Sequence, residues 1–263
     1  PALAGLGAAA VLGIGGFAAA RLLDSGPADR GASLDSPAPA APSPVLLVPG
    51  YGGSVDSLKQ LQAALAAAGR DARIVDLPDD ARGDLAEQAR VLGDAADAAL
   101  AGGGPGSVDV VGYSAGGVVA RIWARDLGGA AKARRIVTLG SPHHGTELAS
   151  LASILPALCP AACHQLARGS DVLAALNAGG ETPAGPAWVS IWSSSDGVVV
   201  PADSAVLDGA LNIQVQQVCA DSEVRHASLP SDPLVIGLVR LELDGAAPSA
   251  PPPDQCAALR AGG

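Results

Sequence analysis

Large aromatic side chains are nearly missing from this chain, which has one Phe, two Tyr and three Trp among 263 residues, and it contains no Met. The stacking platforms on which single-stranded nucleic acids are held are therefore missing, and a core must be built from Val, Leu, Ile and Ala. Charge is scarce as well. Charged residues make up 16% of the chain, and acidic residues outnumber basic ones 26 to 16, giving a net charge of −10. Such a surface repels a phosphate backbone, so no nucleic-acid partner is expected. There are only four histidines, and His164 alone sits beside a cysteine, which leaves no zinc-ligand spacing. No cofactor and no metal are expected.

Small and aliphatic residues fill the space that aromatics leave. Hydrophobic residues reach 49%, enough for one stable α/β domain in a chain expected to be a monomer. Residues 1–20, "PALAGLGAAAVLGIGGFAAA", carry no charge. Residues 1–22 read as a signal peptide, with an uncleaved anchor to the outer face of the cytoplasmic membrane as the rival, and export is the expectation. Residues 23–44 read as a Pro/Ala-rich linker and 45–245 as the main folded domain. Residues 246–263 read as a Pro-rich tail. The four cysteines, Cys159, Cys163, Cys219 and Cys256, fit two disulfides in an oxidising compartment. Three pairings are possible; the local Cys159–Cys163 pair is favoured, which leaves Cys219 with Cys256 to pin the tail.

From Val45 onward, strand and helix patterns alternate. "VLLVPG", "ARIVDLP", "SVDVVGYS" and "ARRIVTLGSP" read as strands. Between them, helical spacing runs through "SVDSLKQLQAALAAAGR", with Ser or Asp as its N-cap, then "DLAEQARVLGDAADAALAGGG" and "AGGVVARIWARDLGG". This rhythm predicts an α/β fold with a mostly parallel central sheet and helices on both faces. Residues 148–187 interrupt it with two helical candidates and read as a small cap. "WVSIWSSSDGVVV" and "ALNIQVQQVC" return as strands, and "DPLVIGLVRLEL" closes as a helix.

In a chain with 34 glycines, the Gly-x-Ser-x-Gly of "DVVGYSAGGVVAR" carries weight only through its context. That context is a β-branched run, a sharp turn and a helix, the setting of a nucleophile elbow around Ser114. A serine needs a base, usually a histidine oriented by a carboxylate, and in this architecture the chain order is Ser, acid, His. His226 alone lies late enough to be that base. Asp196, at the end of a strand in "IWSSSDGVVV", is the favoured acid, with Asp203, Asp208 and Asp221 as fallbacks. Two backbone N–H groups must also meet the developing oxyanion: Ala115, after the serine, and Tyr51, in the loop "VPGYGG" after the first strand. Adjacent His143 and His144 diverge too much to chelate a metal and read as structural or pocket-wall residues.

In the order "VPGYGG", "VVGYSAGG", "VTLGSPHHGT", "IWSSSDGVVV", "LDGALNIQV" and "RHASL", the chain from about Val45 to Leu241 resembles the bacterial class 2 lipases of the α/β-hydrolase superfamily. The resemblance implies a secreted carboxylic-ester hydrolase, a triacylglycerol lipase or esterase, with an acyl-ester or lipid substrate and transient contact with a lipid interface. It implies Ser114 as nucleophile, Asp196 as acid, His226 as base, and Tyr51 with Ala115 as oxyanion donors. This chain departs from the pattern in Pro49-Gly50, where His-Gly is usual, and in Arg225 before the base. The same triad in a polyester hydrolase or acyltransferase is one alternative, and a non-catalytic anchored binding module is another.

Overall fold

The structure, a computed structural model, describes residues 42–102, 104–154 and 159–263. The expected signal peptide or anchor, and the linker before residue 42, lie outside the described residues. Among the described residues, six short strands pair in the order β2-β1-β3-β4-β5-β6, every neighbouring pair parallel. They are β1 (Val45–Val48), β2 (Ala72–Ile74), β3 (Val108–Tyr113), β4 (Ala133–Leu139), β5 (Ala187–Trp192) and β6 (Leu211–Gln214). Helix α1 (Asp56–Ala67) joins β1 to β2, α2 (Leu85–Leu100) joins β2 to β3, and α3 (Ala115–Asp126) joins β3 to β4. Parallel strands need such crossovers because no tight turn can return the chain to the same end of the sheet.

Alternation along the strands divides the core into two layers. In β1, Leu46 and Val48 face one side and pack with Leu92 of α2 and Val118 and Trp123 of α3. Val45 and Leu47 face the other and pack with Leu58, Leu61 and Leu65 of α1 and with the long helix α8 (Pro233–Asp244). A strand buried on both sides reads as an unbroken apolar run, which is why "VLLV" has no polar position. The helices after β1 and β3 lie on opposite faces, so a crevice opens between the carboxyl ends of these two neighbouring strands.

Three short helices, α4 (Glu147–Ala152), α5 (Ala161–Gln165) and α6 (Asp171–Asn177), occupy the segment expected to be a cap. Arg121, fully buried in α3, ties this segment down by donating to the carbonyls of Leu176 and Glu181 and to Asn177 Oδ1 at 2.8–3.1 Å. Burial pulls its guanidinium down to about 10.

Several local expectations need correction. No side chain caps α1: Val55 takes the cap position and Asp56, already in the first turn, pairs with Lys59 Nζ at 3.0 Å. The strand expected over "ALNIQVQQVC" ends at Gln214, after which Val215–Val218 form the helical turn α7 and sink Val215 and Val218 into the core. The ladder of β2 covers only Ala72–Ile74, although Val75 N–H still donates to Leu47 O at 2.9 Å. The tail is extended only at first; it ends in α9 (Cys256–Gly262), whose Leu259 packs into the α1 and α8 layer. Disulfides join Cys159 to Cys163 and Cys219 to Cys256. Among the described residues, no helix is long and apolar enough to cross a membrane.

Candidate active site

Strand β3 ends at Tyr113 and α3 begins at Ala115, so the whole reversal falls on Ser114, which adopts φ +52° and ψ −122°. A non-glycine residue held there costs about 1–3 kcal/mol and persists only where its surroundings fix it. Here the Ser114 N–H donates to Leu139 O at 2.9 Å, and its carbonyl accepts from Gly117 N–H at 3.1 Å. The turn can be this tight because α3 starts against β1: a Cβ on Gly116 would lie 2.3 Å from Val48 O. The serine is thus pushed out above the carboxyl edge of the sheet, beside the β1–β3 crevice.

Asp196 sits in the turn after β5, with its N–H donating to Ser193 O at 3.2 Å. Its Oδ1 accepts from the N–H groups of Val198 and Val199 at 2.8 and 2.9 Å, which fixes the carboxylate plane. The other oxygen, Oδ2, lies 2.7 Å from His226 Nδ1, and His226 Nε2 lies 3.0 Å from Ser114 Oγ. The Asp196 and His226 side chains are 2% and 8% exposed, so water competes little for the bonds between them. The structure therefore brings Ser114, His226 and Asp196 into one hydrogen-bonded line. The fallback acids lie elsewhere: Asp221 forms an exposed pair with Arg260 at 2.9 Å, and neither Asp203 nor Asp208 bonds to a histidine.

Two neighbours of this line escape a reading of residue types. Tyr113 donates its hydroxyl to His226 O at 3.1 Å, and its ring lies 5.2 Å from the imidazole, tilted by 35°. Burial, with a smaller effect of the Asp196 charge, pushes the phenol up to about 12, so the donor keeps its proton. Gly140, at φ +53°, leaves the space that the acid and base occupy: a Cβ there would lie 2.5 Å from Leu229 Cδ1 and 3.0 Å from Asp196 Oδ2. Its position in "TLGSP" gave no signal, because the atoms it accommodates come from residues more than fifty positions later.

The N–H groups of Tyr51 and Ala115 donate to no acceptor among the described residues. Ala115 is the first residue of α3, where an N–H has no intrahelical partner and the helix dipole favours negative charge. Beside Ser114 opens a cavity of about 330 Å³, with Tyr51, Pro142, Leu148, Ala149, Leu166 and Val198 among its walls. Leu148 and Val198, two of its walls, are also exposed, as are Leu151 and Ile154 a few residues after Leu148.

His143 and His144 do not line the cavity, although Pro142 beside them does. His143 is fully buried and bonds Thr138 Oγ1 at 3.1 Å, in a chain that continues through Ser190 to the carbonyl of Ala205. Burial, reinforced by the charge of Arg121, holds its imidazole well below the usual histidine range. His144 lies nearer the surface and pairs with Glu181 at 2.7 Å. Cys219, Asp221 and Cys256 cluster closely enough to suggest a metal site, but the two sulfurs are bonded to each other and offer no thiolate.

No protein-family model and no curated protein sequence matches the chain. Solved structures do. It superposes on lipase B of Aspergillus fumigatus at 20% identity and a TM-score of 0.71, over 83% of this chain and 56% of that one. It therefore spans little more than half the length of the Aspergillus enzyme. The mature lipase BlEst2 of Bacillus licheniformis matches at 19% identity and a TM-score of 0.65, over 80% of this chain and 94% of that one. A metagenomic carboxyl esterase matches at 18% identity and a TM-score of 0.53, over 66% and 63% of the two chains. The six-stranded parallel sheet, flanked by helices on both faces, gives this chain the α/β-hydrolase fold in the form shared by these lipases and esterases.

Proposed function

We propose that the protein is a secreted serine hydrolase of carboxylic esters, acting on acylglycerols or related acyl esters. The observation that carries this reading is the unbroken line from Asp196 through His226 to Ser114 Oγ, ending at the mouth of an apolar cavity. A line of this kind raises the nucleophilicity of a serine only if the imidazole is held in one tautomer. Asp196, itself fixed by two backbone N–H groups, holds the proton on Nδ1 and leaves the Nε2 lone pair facing the hydroxyl.

In the proposed cycle, Ser114 Oγ attacks the ester carbonyl while His226 Nε2 takes its proton. The negative charge formed on the carbonyl oxygen is met by the N–H groups of Tyr51 and Ala115, each contributing about 3 kcal/mol. The tetrahedral intermediate collapses as His226 returns the proton to the departing alcohol, leaving Ser114 acylated. Water, deprotonated by His226, then attacks the acyl carbonyl; the acid leaves and Ser114 regains its proton. The cavity walls match an acyl chain, and the exposed Leu148, Leu151 and Ile154 suit an aggregated lipid better than a polar solute. Two disulfides support an oxidising compartment, hence secretion. The ordered motifs support a place among the bacterial class 2 lipases.

The test is hydrolysis of p-nitrophenyl butyrate and palmitate by the wild type and by Ser114→Ala. Turnover of at least one ester, lost by about 10⁴-fold or more in the variant, is the expected result. Wild-type protein without serine-dependent turnover would overturn the reading. Turnover of the butyrate alone would narrow it to an esterase.

A further inference from the structure

Three consecutive residues that are not glycine, Asp79, Asp80 and Ala81, have φ of +53°, +50° and +55°. Single residues enter this left-handed region occasionally, whereas runs of L-residues are disfavoured at every step by Cβ contact with the following carbonyl. Such a run persists only where its surroundings dictate it. The side chains of Asp79 and Asp80 face solvent, so packing of these carboxylates is not the cause.

What the turn touches is the loop that carries Tyr51. The Asp80 backbone lies against Gly53, where a Cβ would come within 2.9 Å of Asp80 Cα and 3.0 Å of its carbonyl carbon. Two residues later, the Arg82 guanidinium lies over the Tyr51 ring, 5.8 Å from its centroid. The far side of the same segment is bonded to the cap. Arg82 O accepts from Ala162 N–H at 3.1 Å, the Leu85 N–H donates to Gln165 Oε1 at 2.8 Å, and Gln165 donates to Asp84 at 2.6 Å. Ala162 precedes Cys163, a wall of the cavity beside Ser114.

We propose that the Asp79–Arg82 turn is a positioning element for the oxyanion loop: it is wedged between that loop and α5, and holds the Tyr51 N–H toward the oxygen of an ester attacked by Ser114. The inference rests on the hydrolase reading above and adds to it a group of residues that never touch substrate. A loop with its own tight turn, Gly53 N–H to Gly50 O at 3.1 Å, still needs a contact from outside to fix its tilt. The left-handed turn is that contact, itself held by Ala81, which is fully buried in the core.

The experiment compares Asp80→Pro, whose ring forbids positive φ, with Asp80→Gly, which adopts it freely; both change a side chain that faces solvent. Asp80→Gly is expected to keep wild-type kcat. Asp80→Pro is expected to lose about 10- to 100-fold in kcat with KM within twofold, the size of effect that misplacing a catalytic group by about 1 Å produces. Affinity for a trifluoromethyl ketone, whose adduct with Ser114 puts an oxyanion where Tyr51 would meet it, should fall in parallel. The pH profile of kcat should keep its shape, since the Asp196–His226 line is untouched. Should Asp80→Pro fail to fold, Arg82→Ala leaves the backbone alone and removes only the contact with Tyr51; a twofold to fivefold loss of kcat is expected there. Wild-type kcat and ketone affinity in the folded members of this set, while Ser114→Ala is inactive, would overturn the positioning role and leave the hydrolase reading intact. A wild type with no Ser114-dependent turnover would instead remove the hydrolase reading itself.

Discussion

At the amino ends of β1, β3 and β4 the sheet buries Asp109 between two arginines, and at the carboxyl ends it buries Asp196 against a single histidine. Asp109 accepts from Arg70 at 2.5 Å and from Arg134 at 2.5 and 2.9 Å. Arg70 also reaches the carbonyls of Ser43 and Leu243 and the carboxylate of Asp244. Both carboxylate oxygens are engaged, and the cluster closes on itself, tying the start of β1 to the end of α8. In the line through Asp196 and His226, Val198 and Val199 fix the carboxylate, Tyr113 holds the His226 backbone, and the far end is a hydroxyl that faces a cavity. In the Asp109 set every charge meets an opposite one, whereas the Asp196 line ends on a hydroxyl open to the cavity, the end at which the proposed cycle would move a proton.

Four experiments probe that contrast, from the largest expected effect down. Asp196→Asn preserves shape but reverses the tautomer preference of His226, and kcat on a p-nitrophenyl ester should fall by about 10⁴-fold with little change in the thermal midpoint. A drop of less than tenfold would show that the open line does not act as a unit. Asp109→Ala should do the reverse. It leaves Arg70 buried without its main partner, and urea unfolding should show a loss of about 3–5 kcal/mol while activity per folded molecule stays at the wild-type level.

The third experiment uses pH. His143 is held neutral in the folded protein, whereas in the unfolded chain it binds a proton near its ordinary value of about 6.5. The unfolded state therefore gains protons first as pH falls, so this contribution is complete above about pH 6.5 and is lost below it, at up to about 1.4 kcal/mol per pH unit. Urea midpoints measured from pH 7.5 to 5 should fall more steeply for the wild type than for His143→Gln; equal slopes would contradict this assignment. The smallest effect is expected for Tyr113→Phe, which removes one hydrogen bond to the backbone of His226. A loss of about 1 kcal/mol, or roughly fivefold in kcat, with KM unchanged, is the expected split.

How much of this was legible in the sequence depends on how local each cause is. The parallel sheet is legible because apolar runs of strand length alternate with helical spacing, and each signal lies within one element. Ser114 is legible because the glycines that permit its turn lie within three residues of it. His226 is the candidate base by chain order, and Asp196 is favoured over Asp203, Asp208 and Asp221 only because it also stands at the end of a strand. Asp109 gives no such signal: a single acid inside "SVDVVGYS" is explained only once Arg70 and Arg134 arrive from other elements. The same holds for Arg121, whose partners all come from the cap segment. Helix α9 hides behind the prolines that precede it, because Cys256–Gly262 is short and gains its hold from the disulfide to Cys219 and from α8. The end of β6 is missed because a run of valines and glutamines does not reveal where an edge strand stops pairing.

Gly140 bears on how such a protein can vary. It carries no group that could react, yet it stands at positive φ, and a methyl group there would press on Leu229 Cδ1 and on Asp196 Oδ2. In a saturation library selected for ester cleavage, position 140 should tolerate few substitutions. The routes open to this sequence are thus narrowed by an empty space and a backbone angle as well as by reactive groups.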